Sequence, residues 1–238
     1  MQTEIRASPA RDGATQSTTL AELIRREIVS GRFAPGVKLK VRDLSERYQV
    51  GATPVREALS RLLPSTLVVA EDHKGFRVAP LNINELKRLT WTRVQVESVA
   101  LKESMMSGDV DWEGNLVAAH HRLARISRPK DQSHGDYVLW EQAHQAFHTA
   151  LVSACGSPWL LDFIGTLFDQ SARYRRISGL RSQKRAKGPP RDVEAEHRRL
   201  LDAVLGRNVK LACELLQAHY WATANLVMEE DTGSSRRR

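Results

Sequence analysis

Long apolar runs are absent from this 238-residue chain, and so is any cysteine pattern. Without about 20 consecutive apolar residues no segment reads as a helix crossing a bilayer, so no membrane partner is expected. The opening stretch Met1–Thr19 is polar, carries Glu4 and Asp12, and lacks the apolar core of a secretory signal. A cytoplasmic location is therefore the default expectation. The two cysteines, Cys155 and Cys213, form no ligand-spaced motif. In a reducing compartment they read as small core residues rather than a disulfide. No internal repeat is visible, and no segment after Glu85 reads as a strand. What is present is ordinary for a folded chain of one or two domains, with 41% hydrophobic and 27% charged residues. The charge, however, is unbalanced. Lys and Arg number 36 against 28 Asp and Glu, a net charge of +8 that favours a polyanionic partner without identifying one.

The stretch Val41–Val78 is the most informative. Leu39 and Leu44, with Arg42, Asp43, Glu46 and Arg47 around them, predict a short amphipathic helix over Val41–Tyr48. Val50-Gly51-Ala52 reads as a turn, because glycine frees the backbone there. Thr53 can N-cap the next helix, with Pro54 at its first position, where a missing N–H costs nothing. Val55, Leu59 and Leu62 recur at helical spacing and should face a core, whereas Arg56 and Arg61 lie off that stripe. Two short helices joined by a tight turn, the second one basic, form a helix-turn-helix whose second helix belongs in the major groove. Leu67-Val68-Val69 and Phe76-Arg77-Val78 are β-rich, and Asp72-His73-Lys74-Gly75 between them is hairpin chemistry. The result is a winged helix-turn-helix.

Around it, Met1–Thr19 reads as a mobile arm and Leu20–Phe33 as a helix with Leu20, Ile24, Ile28 and Val29 on one face. Leu81–Asn84 is a linker in which Asn82 or Asn84 can cap the next helix. Helical periodicity then runs over Glu85–Ser107, Trp112–Ile126, Gly135–Cys155, Pro158–Ser178, Arg191–Leu205 and Val209–Met228. Ser127–Ser133 and Gly179–Pro190 read as loops, and Glu229–Arg238 as a tail. The expected fold is mainly α: an N-terminal winged helix-turn-helix with a small β-wing, followed by an all-helical bundle of about six helices.

The residues of the first half resemble the DNA-binding domain of the GntR superfamily. Gly31, Pro35-Gly36, Leu39, Asp43-Leu44, the run Thr53–Leu59, Arg61-Leu62, Leu67-Val68 and Gly75 occur in order at the right separations. The chain departs from that pattern where Gly51-Ala52 replaces the usual Ser-Arg, so one common DNA-contacting Arg is missing. It departs again where Thr66 replaces a Gly. The resemblance implies Arg42, Thr53, Arg56, His73 and Lys74 as DNA contacts. The helical half resembles the FCD ligand-binding domain of the FadR subfamily, through Arg93…Glu97, Phe147-His148, Leu151, Gly156, Glu196-His197, Ala203 and His219. These resemblances divide the chain into an arm (1–19), a winged domain (20–80), a linker (81–84), an FCD-like domain (85–228) and a tail (229–238). They imply a ligand-responsive transcriptional regulator, a repressor by expectation. It would bind a palindromic operator as a homodimer and sense a small organic acid or similar polar metabolite at a metal-containing pocket.

Four of the eight histidines stand out. His144 and His148 are four apart and project from one helix face. The family resemblance implies a metal held by an Asp and a His four apart, then by one His from each of two later helices. Here His148, His197 and His219 match, and His144 stands in place of the Asp. An all-imidazole set favours zinc or nickel over the harder ions a carboxylate suits. His120, His121 and His134 match nothing and are expected to face solvent. Arg93 can bind an effector carboxylate through its fork, or pair with Glu97 one turn on. Arg173, Tyr174 and Asn225 are further candidates for the cavity wall, and the five tryptophans read as packing. Two other functions compete. One is a metal sensor. The other is a His-ligated metalloenzyme, disfavoured because four protein ligands close a tetrahedral site and because His144-Gln145-Ala146-Phe147-His148 lacks the zinc-protease Glu.

Overall fold

The computed structural model describes residues 15–71, 74–126, 134–184 and 191–229. Most of the expected arm and tail, the wing-tip residue His73 and the loop 127–133 lie outside the described residues. The chain divides into two compact units. One takes the first helix up to Ile28 together with Phe33–Pro80, and the other takes Val29–Arg32 and everything from Leu81 on.

The first unit contains α1 (Gln16–Val29), β1 (Lys38–Leu39), α2 (Val41–Tyr48), α3 (Ala52–Leu62), β2 (Val68–Glu71) and β3 (Gly75–Val78). Helix α1 starts one turn earlier than its apolar stripe predicts, because the Thr15 hydroxyl accepts the Thr18 backbone N–H and caps it. Leu20, Ile24 and Ile28 are buried, and so are Leu39, Leu44, Val55, Ala58, Leu59 and Leu62. Glu27 ties α1 to α2 by accepting from Arg47 Nη2 and Tyr48 Oη, each at 2.9 Å.

The turn between α2 and α3 differs in detail from expectation. The left-handed residue is Gln49, at φ 54°, while Gly51 has φ −67° and uses none of glycine's freedom. Gly51, not Thr53, is the N-cap, and no side chain caps the helix. Pro54 therefore sits at the third helical position. It is tolerated there because the first backbone N–H groups of a helix have no intrahelical acceptor. The wing is a three-stranded antiparallel sheet in the order β1-β3-β2, with Val69 opposite Arg77 and Lys38 opposite Arg77 on the other edge. Sequence periodicity missed β1, which is only two residues long. Arg77 fastens the sheet by donating to Glu71 Oε1 (2.7 Å) and to the Gly36 carbonyl (2.5 Å). Thr66 sits at φ 50°, a left-handed conformation that costs a residue with a Cβ about 1–2 kcal/mol and that glycine adopts freely.

The second unit is a bundle of α4 (Ile83–Ser107), α5 (Val110–Ala124), α6 (His134–Val152), α7 (Pro158–Lys184), α8 (Val193–Leu205) and α9 (Val209–Met228). Asn82 caps α4 by accepting from the N–H groups of Asn84 and Glu85, at 2.9 and 3.1 Å. Asp109, Asp192 and Asn208 cap α5, α8 and α9 in the same way. Helix α7 runs past Gly179 into the segment expected to be a loop. Leu180–Lys184 are mostly good helix formers, and their summed propensity outweighs the cost of one glycine. Helix α4 packs against α6, α7 and α9, and α8 packs against α5 and α9. The core between them includes Leu101, Leu116, Phe147, Leu151, Leu200 and Leu216, each at most 2% exposed. Among the described residues no helix is long and apolar enough to cross a membrane.

Candidate DNA surface and histidine centre

On the winged unit, Arg42, Thr53, Arg56 and Lys74 are all exposed. The buried stripe Val55-Ala58-Leu59-Leu62 turns the opposite face of α3, with Thr53, Arg56 and Ser60, toward solvent. Arg42 makes only exposed ion pairs, with Glu46 at 3.4 Å and Asp43 at 4.0 Å. Exposed pairs of this kind are worth a few tenths of a kcal/mol, so a phosphate or base edge can displace them. His73, the remaining expected contact, lies outside the described residues.

In the helical unit, α6, α8 and α9 bring the four expected histidines together. His144, His148, His197 and His219 are all buried, and one potential ligand atom from each lies within 4.8 Å of the others. The His144 and His148 rings are 4.5 Å apart, and those of His197 and His219 are 4.8 Å apart. His144 also stacks on Trp140, one turn earlier, at 4.7 Å and 17°. His144 Nδ1 and His148 Nε2 are buried with no hydrogen-bond partner among the described residues. Such atoms normally cost about 1–3 kcal/mol each, and several converging on one point fit a metal ion.

Two of the rings are oriented from behind. Glu196 Oε2 lies 2.7 Å from His219 Nδ1, and Arg191 holds the same carboxylate through Nε at 2.7 Å. Burial is the largest influence on His219 and pulls its pKa to about 4, despite the opposing pull of Glu196. The contact is therefore a neutral N–H donated to a carboxylate rather than an ion pair at neutral pH. With Nδ1 occupied, His219 presents Nε2 to the cluster. Burial raises the Glu196 pKa, but the hydrogen bonds from His219 and Arg191 outweigh it and set the pKa at about 2. On the other side, the Tyr220 hydroxyl lies 3.2 Å from His148 Nδ1 and donates to Glu97 Oε2.

Burial, reinforced by mutual repulsion among the rings, also pushes His144 and His148 well below 6.5. In protein stripped by a chelator this predicts a definite pH dependence. The unfolded chain takes up protons on these side chains near pH 6.5 and the folded chain does not, so stability falls as pH drops below about 6.5. Urea denaturation at pH 8, 7, 6 and 5 checks it: the midpoint should hold from 8 to 7 and then decline.

A narrow cavity adjoins the cluster, lined by Thr90, Arg93, Ser171, Tyr174 and Thr223 together with His144 and His219. Of the two sequence readings of Arg93, the pairing with Glu97 is present, and the side chain also lines the cavity. Its Nε donates to Glu97 Oε1 (2.7 Å) and Nη1 to Ser171 Oγ (2.9 Å), while Nη2 is buried and lacks an acceptor among the described residues. Its guanidinium also lies 4.0 Å from the Tyr220 ring centre. Beside it, Arg175 pairs with Glu141, and both are buried. Tyr174 is on the cavity wall as envisaged, and its hydroxyl reaches both the N–H and the carbonyl of Asn82, each at 3.3 Å. Asn225 is exposed instead, and Arg173, although buried, is not on that wall. His120 departs from expectation as well. It is buried edge-on against Phe147 at 5.4 Å, because position 120 lies one turn after the core residue Leu116. His121 is exposed as expected, and the side chain of His134 lies outside the described residues. The expectation missed Tyr220, Ser171, Glu141 and Arg191, whose partners include Glu97, Arg93, Arg175 and His219, at 123, 78, 34 and 28 positions away respectively. Only Glu196, adjacent to His197, carried a sequence signal.

A winged helix-turn-helix followed by a helical unit is the architecture of a DNA-binding transcriptional regulator. Residues 16–78 match the bacterial regulatory proteins of the gntR family, and residues 88–222 match the FCD domain. The chain belongs to the GntR family and to its branch that carries an FCD domain. It is 37% identical to the HTH-type transcriptional regulator BphR of Paraburkholderia xenovorans, over 87% of this chain and 82% of that one. It is 34% identical to the HTH-type transcriptional repressor GlaR of Escherichia coli, over 89% and 95%. Its fold is similar to that of E. coli McbR/YncC, with a TM-score of 0.72 at 18% identity, covering 92% of this chain and all of that one. BphR and GlaR are regulators, and this chain is a transcriptional regulator rather than an enzyme.

Proposed function

We propose that the protein is a repressor that binds an inverted-repeat operator as a homodimer and is released by a small carboxylate bound beside a metal centre. In this reading residues 20–80 bind DNA, 81–84 link, and 85–228 sense. One observation carries it: four buried histidines converge, two of them, His144 and His219, line the same cavity as Arg93, and Arg93 Nη2 is a buried donor with no acceptor among the described residues. His144, His148, His197 and His219 would hold zinc or nickel, the ions an all-nitrogen set suits. The ion would supply a positive charge that attracts an acid to the cavity. Repressor action is favoured by the name of the relative GlaR. A homodimer is favoured by the geometry of palindromic operators and by exposed apolar side chains along α4, namely Trp91, Val99 and Met106.

The test is calorimetry of C2–C6 carboxylic acids against the metal-loaded protein, with and without operator. One or more should bind, and operator should weaken binding by the same factor by which the acid weakens operator binding. Arg93→Lys keeps a charge beside Glu97 but removes the free Nη2. It should weaken the acid by roughly 1.5–3 kcal/mol, the worth of a hydrogen bond to a charged group. Failure of every acid, or unchanged affinity in Arg93→Lys, refutes the carboxylate anchor. Operator release on metal addition alone would instead favour a metal sensor.

A further inference from the structure

The hydrogen-bond chain that ends on the metal-facing side of His148 begins at Arg93. Glu97 is buried and accepts at both oxygens, from Arg93 Nε on one and from the Tyr220 hydroxyl on the other. A phenol has a single proton. Once it is donated to Glu97, the Tyr220 oxygen can only accept, so the contact at 3.2 Å requires the proton to sit on His148 Nδ1. That leaves the lone pair on His148 Nε2, the buried atom that has no partner among the described residues. His219 achieves the same orientation directly through Glu196. His148 achieves it through an intervening hydroxyl.

We infer that Tyr220 and Glu97 are positioning residues for the metal centre. They fix His148 in the Nδ1–H tautomer and raise the basicity of Nε2, and Arg93, which holds Glu97, joins the cavity's anion receptor to that relay. This rests on the reading of the histidine cluster as a metal site. No other feature of the four histidines requires it, since the contact between Tyr220 and His148 could equally run with the phenol donating to the ring if Glu97 were not there to take its proton. With Glu97 in place, the direction is set. Outer-shell partners of metal-ligating histidines typically contribute tenfold to hundredfold in metal affinity. Tyr220→Phe removes the acceptor for His148 Nδ1–H while keeping the ring under the Arg93 guanidinium.

Two measurements on the full chain test this. The first is long-range proton–nitrogen correlation NMR of ¹⁵N-labelled, chelator-stripped wild-type protein, with the His148 signals assigned by their loss in His148→Gln. The expected result is the Nδ1–H tautomer for His148, and the Nε2–H tautomer overturns the relay without reference to any variant. The second is competition for zinc against a chromophoric chelator. Zinc affinity should fall on the order of tenfold to hundredfold in Tyr220→Phe, with the fixed tautomer lost in the same variant. If the wild type takes up zinc and Tyr220→Phe takes it up equally well, the relay is wrong and the metal site stands. If the wild type takes up no zinc, both fall together.

Discussion

Elemental analysis of protein purified without chelators is expected to find about one zinc or nickel ion per chain, and the His148→Ala/His197→Ala double variant is expected to retain none. Structural zinc sites bind with apparent free energies of about 10–16 kcal/mol, shared among four donors. Removing two donors from two different helices leaves only His144 on α6 and His219 on α9. Two imidazoles cannot satisfy a tetrahedral ion, so the loss should amount to many orders of magnitude rather than a modest weakening. Full stoichiometry in the double variant would place the metal elsewhere. His144→Asp is the instructive companion. It introduces an oxygen donor at a position backed by Trp140 and should move the preference from zinc and nickel toward manganese.

The second large effect is expected at the operator. Selection from random duplexes should enrich an inverted repeat, and fluorescence anisotropy on the winner should show Arg56→Ala and Arg42→Ala each weakening binding by about 1–3 kcal/mol if the lost contact reads a base. Both side chains are exposed, so neither substitution should disturb the fold. Affinity should fall steeply as salt rises, because contacts from Arg, Lys and the wing release counterions from phosphates. Lys74→Ala should lower the salt slope by about one unit while weakening all sequences alike. Selection that enriches no common sequence would refute specific recognition by this surface.

Much of this was legible in the sequence, and the reasons are physical. The winged unit announces itself because its elements are local: a stripe such as Val55-Leu59-Leu62 needs only helical periodicity to be seen. The four histidines were legible individually, and their meeting followed from a resemblance rather than from spacing, since they sit on three helices, with α7 between α6 and the other two. Most of the supporting shell was not legible. Tyr220 and Ser171 act on partners that only the packing of α4, α6, α7 and α9 brings near, and nothing in a one-dimensional pattern marks them; the pairing of Glu97 with Arg93 was visible one turn apart, but not the bond Glu97 accepts from Tyr220. The misreadings have the same origin. The burial of His120 is decided by a neighbouring helix through Phe147, and the cap of α3 by backbone geometry at Gly51 rather than by the hydroxyl of Thr53.

The hydroxyl of Tyr174 bears on how such a regulator can change over generations. That phenol is both a wall of the cavity and a clasp on the main chain at Asn82, where the linker enters α4. A substitution that shaves this wall to admit a bulkier ligand also releases the clasp. New ligand specificity acquired at Tyr174 therefore arrives with a loosened entry to α4, and a lineage taking that route needs a second change to fasten the main chain at Asn82 again. Enlarging the cavity at Thr90 or Ala224, on α4 and α9, leaves the Tyr174 clasp itself in place and offers the shorter evolutionary path.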